Sequence, residues 1–214
     1  MDLRPTFPAD FRLFLASQSP RRHSLLRDIG VPYEVVVTTA DELTEGDAAP
    51  ALAAANAVSK VRAAALPESG TAGAFVLGTD TLVTLAGRVM GKPSSAAEAR
   101  AMIASLAGTT HRVVSGVALG RVGPGGGPLR QEAIRVATAV TEVTFLPLEE
   151  TLIDAYIGSR EWTDKAGAYG IQGLAATFVS EIRGEYSNVV GLPLCLLAGL
   201  FRESGFDLLL RQWL

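Results

Sequence analysis

Cysteine is almost absent: Cys195 is the only one in 214 residues. One thiol can close no internal disulfide and build no Cys-rich zinc site, and such usage suits a reducing compartment. Its neighbours, Leu192-Pro-Leu-Cys-Leu-Leu197, are apolar and predict a buried core thiol. Histidine is scarce too. His23 and His111 are the only two, and they form no His-Glu-x-x-His array and accompany no Gly-x-Ser-x-Gly elbow. Zinc-hydrolase and serine-nucleophile chemistry are thereby disfavoured, and His111, at a strand start, reads as structural. No uncharged run approaches the roughly 20 residues of a membrane span, and the start, Met1-Asp-Leu-Arg-Pro-Thr-Phe-Pro8, lacks the apolar stretch of a signal peptide. A dense Lys/Arg block is also missing, and the formal net charge is −3. Neither nucleic acid nor a membrane is an expected partner. The expectation is a cytoplasmic protein.

What is present suits an α/β enzyme. The chain is 48% hydrophobic with 22 glycines and 11 prolines, enough to bury a sizeable core, and its 214 residues suit one large domain or two small lobes that share a sheet. Strands are predicted over 12–16, 33–38, 74–77, 112–119, 134–145 and 178–182. Helices are predicted over 20–29, 49–66, 95–106, 148–157 and 193–204. Residues 82–90 read as a hairpin turning at Ala86-Gly87. Ser94 or Ser95 caps the third helix, with Glu98 completing a capping box. The Gly-rich run 120–128 lacks a Gly-Lys-Ser/Thr ending and reads as a hairpin connection without chemistry, and 162–173 reads as a loop or a loop with a short helix. Hairpins and helical crossovers both occur, so the sheet should be mixed and twisted, with flanking helices.

Four charged features fall where strands are expected to end, which is where ligands of open α/β folds gather. In Ser17-Gln-Ser-Pro-Arg-Arg22, Ser19 suits an N-cap and Pro20 the first helical position. Arg21 and Arg22 then occupy a positive helix end that prefers carboxylates, which marks either an anion site or a solvated pair. Asp80 follows the strand ending at Gly78; it reads as a Mg²⁺ ligand, a group that activates water, or an Asx-turn. Lys92 lies in Gly91-Lys-Pro93, and Glu42 follows the second strand. Together these residue types suit phosphohydrolase chemistry.

The stretches Leu15-Ala-Ser-Gln-Ser-Pro-Arg-Arg22, Asp41-Glu42, Gly78-Thr-Asp-Thr81, Gly91-Lys-Pro93, His111-Arg-Val-Val-Ser-Gly116, Asp164-Lys-Ala-Gly-Ala-Tyr-Gly-Ile-Gln-Gly173 and Asn188-Val-Val-Gly-Leu-Pro193 occur in order. The chain resembles the Maf family of nucleoside triphosphate pyrophosphatases over about residues 12–205. The resemblance implies a single domain over 1–214 with an inosine triphosphate pyrophosphatase-like fold, two α/β lobes sharing the sheet around a central cleft, often dimeric. It also implies hydrolysis of dTTP or UTP, with modified pyrimidine triphosphates as further candidate substrates, to the monophosphate and pyrophosphate with Mg²⁺ or Mn²⁺. Asp80 would be the catalytic proton acceptor; Arg21, Thr81 and Gln172 would govern substrate choice. On this basis Asp80 and Glu42 would hold the metal, and Arg21, Arg22, Lys60 and Lys92 would neutralise the departing pyrophosphate, with Ser17 and Ser19 lining the phosphate turn. Gln172 offers the donor and acceptor that match a pyrimidine imide edge. Alternatives are a purine enzyme acting on ITP, XTP or 7-methyl-GTP, or a non-catalytic nucleotide-sensing regulator of cell division. Gln18, Thr79, Ser115 and Glu185 depart from the family pattern, and the 120–130 loop is long.

Overall fold

The computed structural model describes residues 5–41, 43, 48–126, 129 and 133–214. Glu42 lies outside them, as does part of the 120–130 loop. A mixed seven-stranded sheet has the order β2-β1-β3-β5-β6-β7, with β4 also paired to β3. The strands are β1 (Leu13–Leu15), β2 (Glu34–Val35), β3 (Phe75–Leu85), β4 (Arg88–Met90), β5 (Thr110–Arg121), β6 (Ile134–Phe145) and β7 (Val179–Arg183). The helices are α1 (Pro20–Asp28), α2 (Ala49–Arg62), α3 (Ala96–Leu106), α4 (Glu150–Gly158), α5 (Tyr186–Val190) and α6 (Leu194–Glu203). A small hairpin, β8 (Phe206–Asp207) and β9 (Gln212–Trp213), closes the chain.

β2, β1 and β3 run parallel, joined by α1 and α2, whereas β3, β5, β6 and β7 are antiparallel. Side chains alternate across each strand, so the two sheet faces carry separate cores. One face is large: Phe75, Leu77, Val83, Val113, Val117 and Val143 pack with residues of α1, α3, α4 and α6. The other is a small cluster in which Phe14, Val76 and Ala118 meet Ala57 and Val61 of α2. There α2 sits directly on the backbone. A Cβ added at Gly78 would lie 2.4 Å from the Ala57 carbonyl oxygen, and one at Gly116 would lie 2.2 Å from that of Ala53.

Several local expectations change. The second strand is two residues long, with Thr38 reaching only an isolated bridge to Ala64. The third strand does not stop at Leu77 but runs on through Leu85, because β5 pairs with it along Phe75–Thr84. Ser19 occupies the N-cap of α1 without a side-chain cap bond; its own N–H donates to Ser17 Oγ at 3.3 Å. Ser95 does cap α3, accepting from Glu98 N at 3.2 Å, and the Glu98 carboxylate accepts from Ser94. Cys195 is exposed, not buried. It falls outside the stripe of Leu197, Leu200 and Phe201 through which α6 joins the core.

Candidate active site

β1 leaves the sheet after Leu15, and β4 joins the same edge of β3 only at Val83. Between them, residues 78–82 stay paired to β5 while their other edge opens into a cleft of about 1220 Å³. Asp80 and Thr81 are neighbours on this open stretch and point to opposite faces of the sheet. Both line the cleft. Asp80 therefore sits inside a strand, not past its end, and the open edge is what makes it accessible.

On the α2 face, Asp80 is 6% exposed. Its Oδ1 accepts from Lys60 Nζ at 2.8 Å and its Oδ2 from Asn56 Nδ2 at 2.9 Å. Lys60 also donates to the Thr79 carbonyl at 3.2 Å. Asn56 and Lys60 stand four residues apart on α2, hence on one side of it, and the close seating of α2 over Gly78 and Gly116 brings both within reach of Asp80. Burial pushes the Asp80 carboxyl up, but Lys60, Asn56 and Arg22 together outweigh burial and hold it below the usual range. It is a fixed anion. Lys60, expected to face the pyrophosphate, lines the cleft while buried in an ion pair with this carboxylate.

On the opposite face, the Ser17–Arg22 turn leaves β1 and starts α1. Arg22 is buried; it donates from Nε to the Gly191 carbonyl at 2.9 Å, from Nη1 to Ser17 Oγ at 2.9 Å and from Nη2 to Thr81 Oγ1 at 3.3 Å. The Thr81 hydroxyl also donates to Gly191 O at 3.3 Å and shares a 2.8 Å bond with Ser115 Oγ. Buried Asn188 anchors α5, donating to the Val113 carbonyl and to Thr141 Oγ1, each at 3.0 Å. That fixes the chain just before Gly191. Arg21 turns the other way, half-buried in the cleft wall; burial lowers its pKa, and Asp164 offsets part of that. The two arginines thus divide: Arg22 braces the site and Arg21 faces its space.

The 164–173 segment forms the far wall. Gly167 has φ of 66°, and a Cβ there would meet Val83 Cγ1 at 2.8 Å, so this glycine is required twice over. Its N–H donates to the Gly91 carbonyl at 3.0 Å, tying the segment to the Lys92 turn. Tyr169 is pinned from below by His111, 1% exposed, through a 2.8 Å bond between its hydroxyl and Nε2. Burial lowers the His111 pKa to about 4 and raises that of Tyr169, so both are neutral at pH 7. Gln172 and Lys92 are exposed at the cleft. Lys165, also in the wall, has its pKa lowered by burial and by Arg21.

The cleft therefore gathers Ser17, Ser19, Arg21, Arg22, Lys60, Asp80, Thr81, Lys92 and Gln172. Sequence reasoning gave no role to Asn56, Ser115 or Asn188. The only sequence cue for Asn56 was its four-residue spacing from Lys60.

A buried, ion-paired carboxylate beside an arginine-lined helix start defines a polar ligand cleft of the α/β type. The chain belongs to the Maf family: the Maf-like protein family matches residues 12–204. It is 41% identical to the dTTP/UTP pyrophosphatase of Symbiobacterium thermophilum over 92% of this chain and 96% of that one. It is also 41% identical to the dTTP/UTP pyrophosphatase of Bacillus cereus strain ATCC 10987, over 92% of this chain and 91% of that one. Among solved structures, the dITP/XTP pyrophosphatase of Mycobacterium abscessus aligns over 64% of this chain and 75% of its own, at 19% identity and a TM-score of 0.35. So loose a superposition bears on neither site nor substrate. No helix among the described residues is long and apolar enough to cross a membrane.

Proposed function

We infer that this Maf-family chain is a nucleoside triphosphate pyrophosphatase that hydrolyses dTTP and UTP to the monophosphate and pyrophosphate. The supporting observation is the ionised Asp80 held in one cleft with the Ser17–Arg22 turn, a fixed anion that shares its space with a cationic helix start. The pyrimidine preference rests on the relatives named above and on Gln172, whose amide both donates and accepts.

The residues fit a divalent cation. Each Asp80 oxygen accepts one protein hydrogen bond among the described residues, which leaves a lone pair on each. No group of three or more His, Cys, Asp or Glu side chains stands together among those residues. A cation there would be held by Asp80 with water and substrate phosphates, a manner of binding common for Mg²⁺. Bound, Mg²⁺ or Mn²⁺ would supply charge neutralisation at the phosphates. Glu42 remains a second candidate ligand.

A carboxylate held below its ordinary pKa stores a proton poorly at neutral pH. Asp80 thus acts by orienting the attacking water. A bond forms from the water oxygen to the α-phosphorus, and the bond to the α–β bridging oxygen breaks. Pyrophosphate leaves with that electron pair, and solvent takes the proton. Arg21 and Lys92 meet the charge that builds on the leaving group. Arg22, fixed by Ser17, Thr81 and Gly191, needs little reorganisation to do the same. Incubation with Mg²⁺ or Mn²⁺ and a panel of dTTP, UTP, ITP, XTP and 7-methyl-GTP tests the reading. Monophosphate and pyrophosphate from the pyrimidines support it; orthophosphate release, a purine preference, or no turnover rejects it.

A further inference from the structure

Asn56 is 2% exposed in the middle of an alanine-rich helix, where a carboxamide has no reason to be unless its groups are used. All its principal groups are. Nδ2 donates to Asp80 Oδ2 at 2.9 Å and to the Leu43 carbonyl at 3.0 Å, and Oδ1 accepts from Leu43 N at 2.8 Å. The orientation of the amide is unambiguous. Flipped, its oxygen would face a carboxylate oxygen and a carbonyl oxygen, and its NH₂ would face an N–H. One side chain thus grips both main-chain groups of a cleft-lining residue and one oxygen of the reacting carboxylate. Lys60 holds the other oxygen, but a point charge on a flexible stem fixes distance better than rotation. The planar amide supplies the second fixed point.

We propose that Asn56 is a positioning residue of this site: its carboxamide sets the rotation of the Asp80 carboxylate and locks it to the cleft wall at Leu43. The proposal rests on the hydrolytic reading for its kinetic consequence and on geometry alone for its structural one. Without Asn56 the Lys60 ammonium still holds Asp80 Oδ1; what is lost is the aim of the carboxylate. The loss should fall on kcat more than on KM, since the phosphate turn and Gln172 lie on other elements.

The test compares Asn56→Leu, of similar size but without polar groups, and Asn56→Gln, which keeps the carboxamide, with the parent protein. For Asn56→Leu, kcat on dTTP should fall about 10- to 100-fold, the worth of a hydrogen bond to a charged group, with KM within about threefold. Asn56→Gln should recover part of kcat. Independently of activity, hydrogen exchange at the Leu43 amide should be slow in the parent and accelerate in Asn56→Leu. If Asn56→Leu does not fold, Asn56→Ser carries the same expectations. A kcat within about threefold of the parent, a loss confined to KM, or an unchanged Leu43 exchange rate overturns the proposal. An inactive parent with the exchange result intact would instead reject the hydrolytic reading and leave the clamp standing.

Discussion

Asp80 and Thr81 are consecutive residues of one strand, yet they inhabit different chemistries. On the α2 face the carboxylate is bonded by an ammonium and an amide under a small core of alanines and valines. On the α1 face the hydroxyl joins a neutral network of Ser115 and the Gly191 carbonyl, braced by Arg22. The pleat of β3 separates an ion-paired side from a neutral, hydrogen-bonded side by a single residue. The open edge at 78–82 lets one cleft reach both. Under the proposed function, this division would let one strand carry a catalytic group and a selectivity group without either disturbing the other.

Removing the charge on the first face should cost most. Asp80→Asn is expected to lower turnover about 10³-fold. It also strips the buried Lys60 ammonium of that carboxylate, so stability should fall by about 3 kcal/mol in a urea titration. A variant as stable as the parent would mean the ion pair is not what holds α2 to β3. Next, Gly116→Ala pushes a methyl group toward the Ala53 carbonyl and must lift α2. We expect about 1–3 kcal/mol of destabilisation together with lost turnover, because Lys60 and Asn56 move with the helix.

The faces should also fail at different acidities. His111, on the Thr81 face, is neutral when folded down to about pH 4 but titrates near 6.5 when unfolded. The unfolded chain binds more protons between those values, so stability is full above pH 6.5 and declines toward pH 4, by about 3 kcal/mol. Asp80 is also shifted downward, below its ordinary 3.8, but there the charged form is the one favoured. Its contribution is present above that value and is lost only as pH falls through the folded pKa. Urea midpoints measured from pH 8 to 4.5 should therefore slope in the parent and flatten in His111→Phe. The smallest effect is expected from Thr81→Val, which removes the shared hydroxyl: KM for dTTP rises about tenfold with kcat little changed. A change in kcat alone would erase the distinction between the faces.

Much of this was legible in the residues, unevenly. The long β6 and the capped α3 were visible because Val/Thr density and the Ser-x-x-Glu spacing are local signals. The ordered motifs named the family and pointed to Asp80, Arg21 and Gln172. The extension of β3 through Asp80 was not visible, because pairing with β5 sets its length and Gly78 reads locally as a stop. The glycine instead makes room for α2. Asn56, and the ion pair in which Lys60 is held, were obscured for the same reason: an alanine-rich helix shows no polar face until the backbone it rests on is known. Glu185 read only as a departure, and it proves structural, accepting from Cys195 N at 2.7 Å in the first turn of α6.

The central claim of the proposed reaction is that water attacks the α-phosphorus, so that pyrophosphate leaves intact. Hydrolysis of dTTP in ¹⁸O-labelled water, with both products analysed by mass spectrometry, addresses it without any substitution. Label in the thymidine monophosphate and none in the pyrophosphate is the predicted result; label in the pyrophosphate would place the attack on the β-phosphorus and contradict the account.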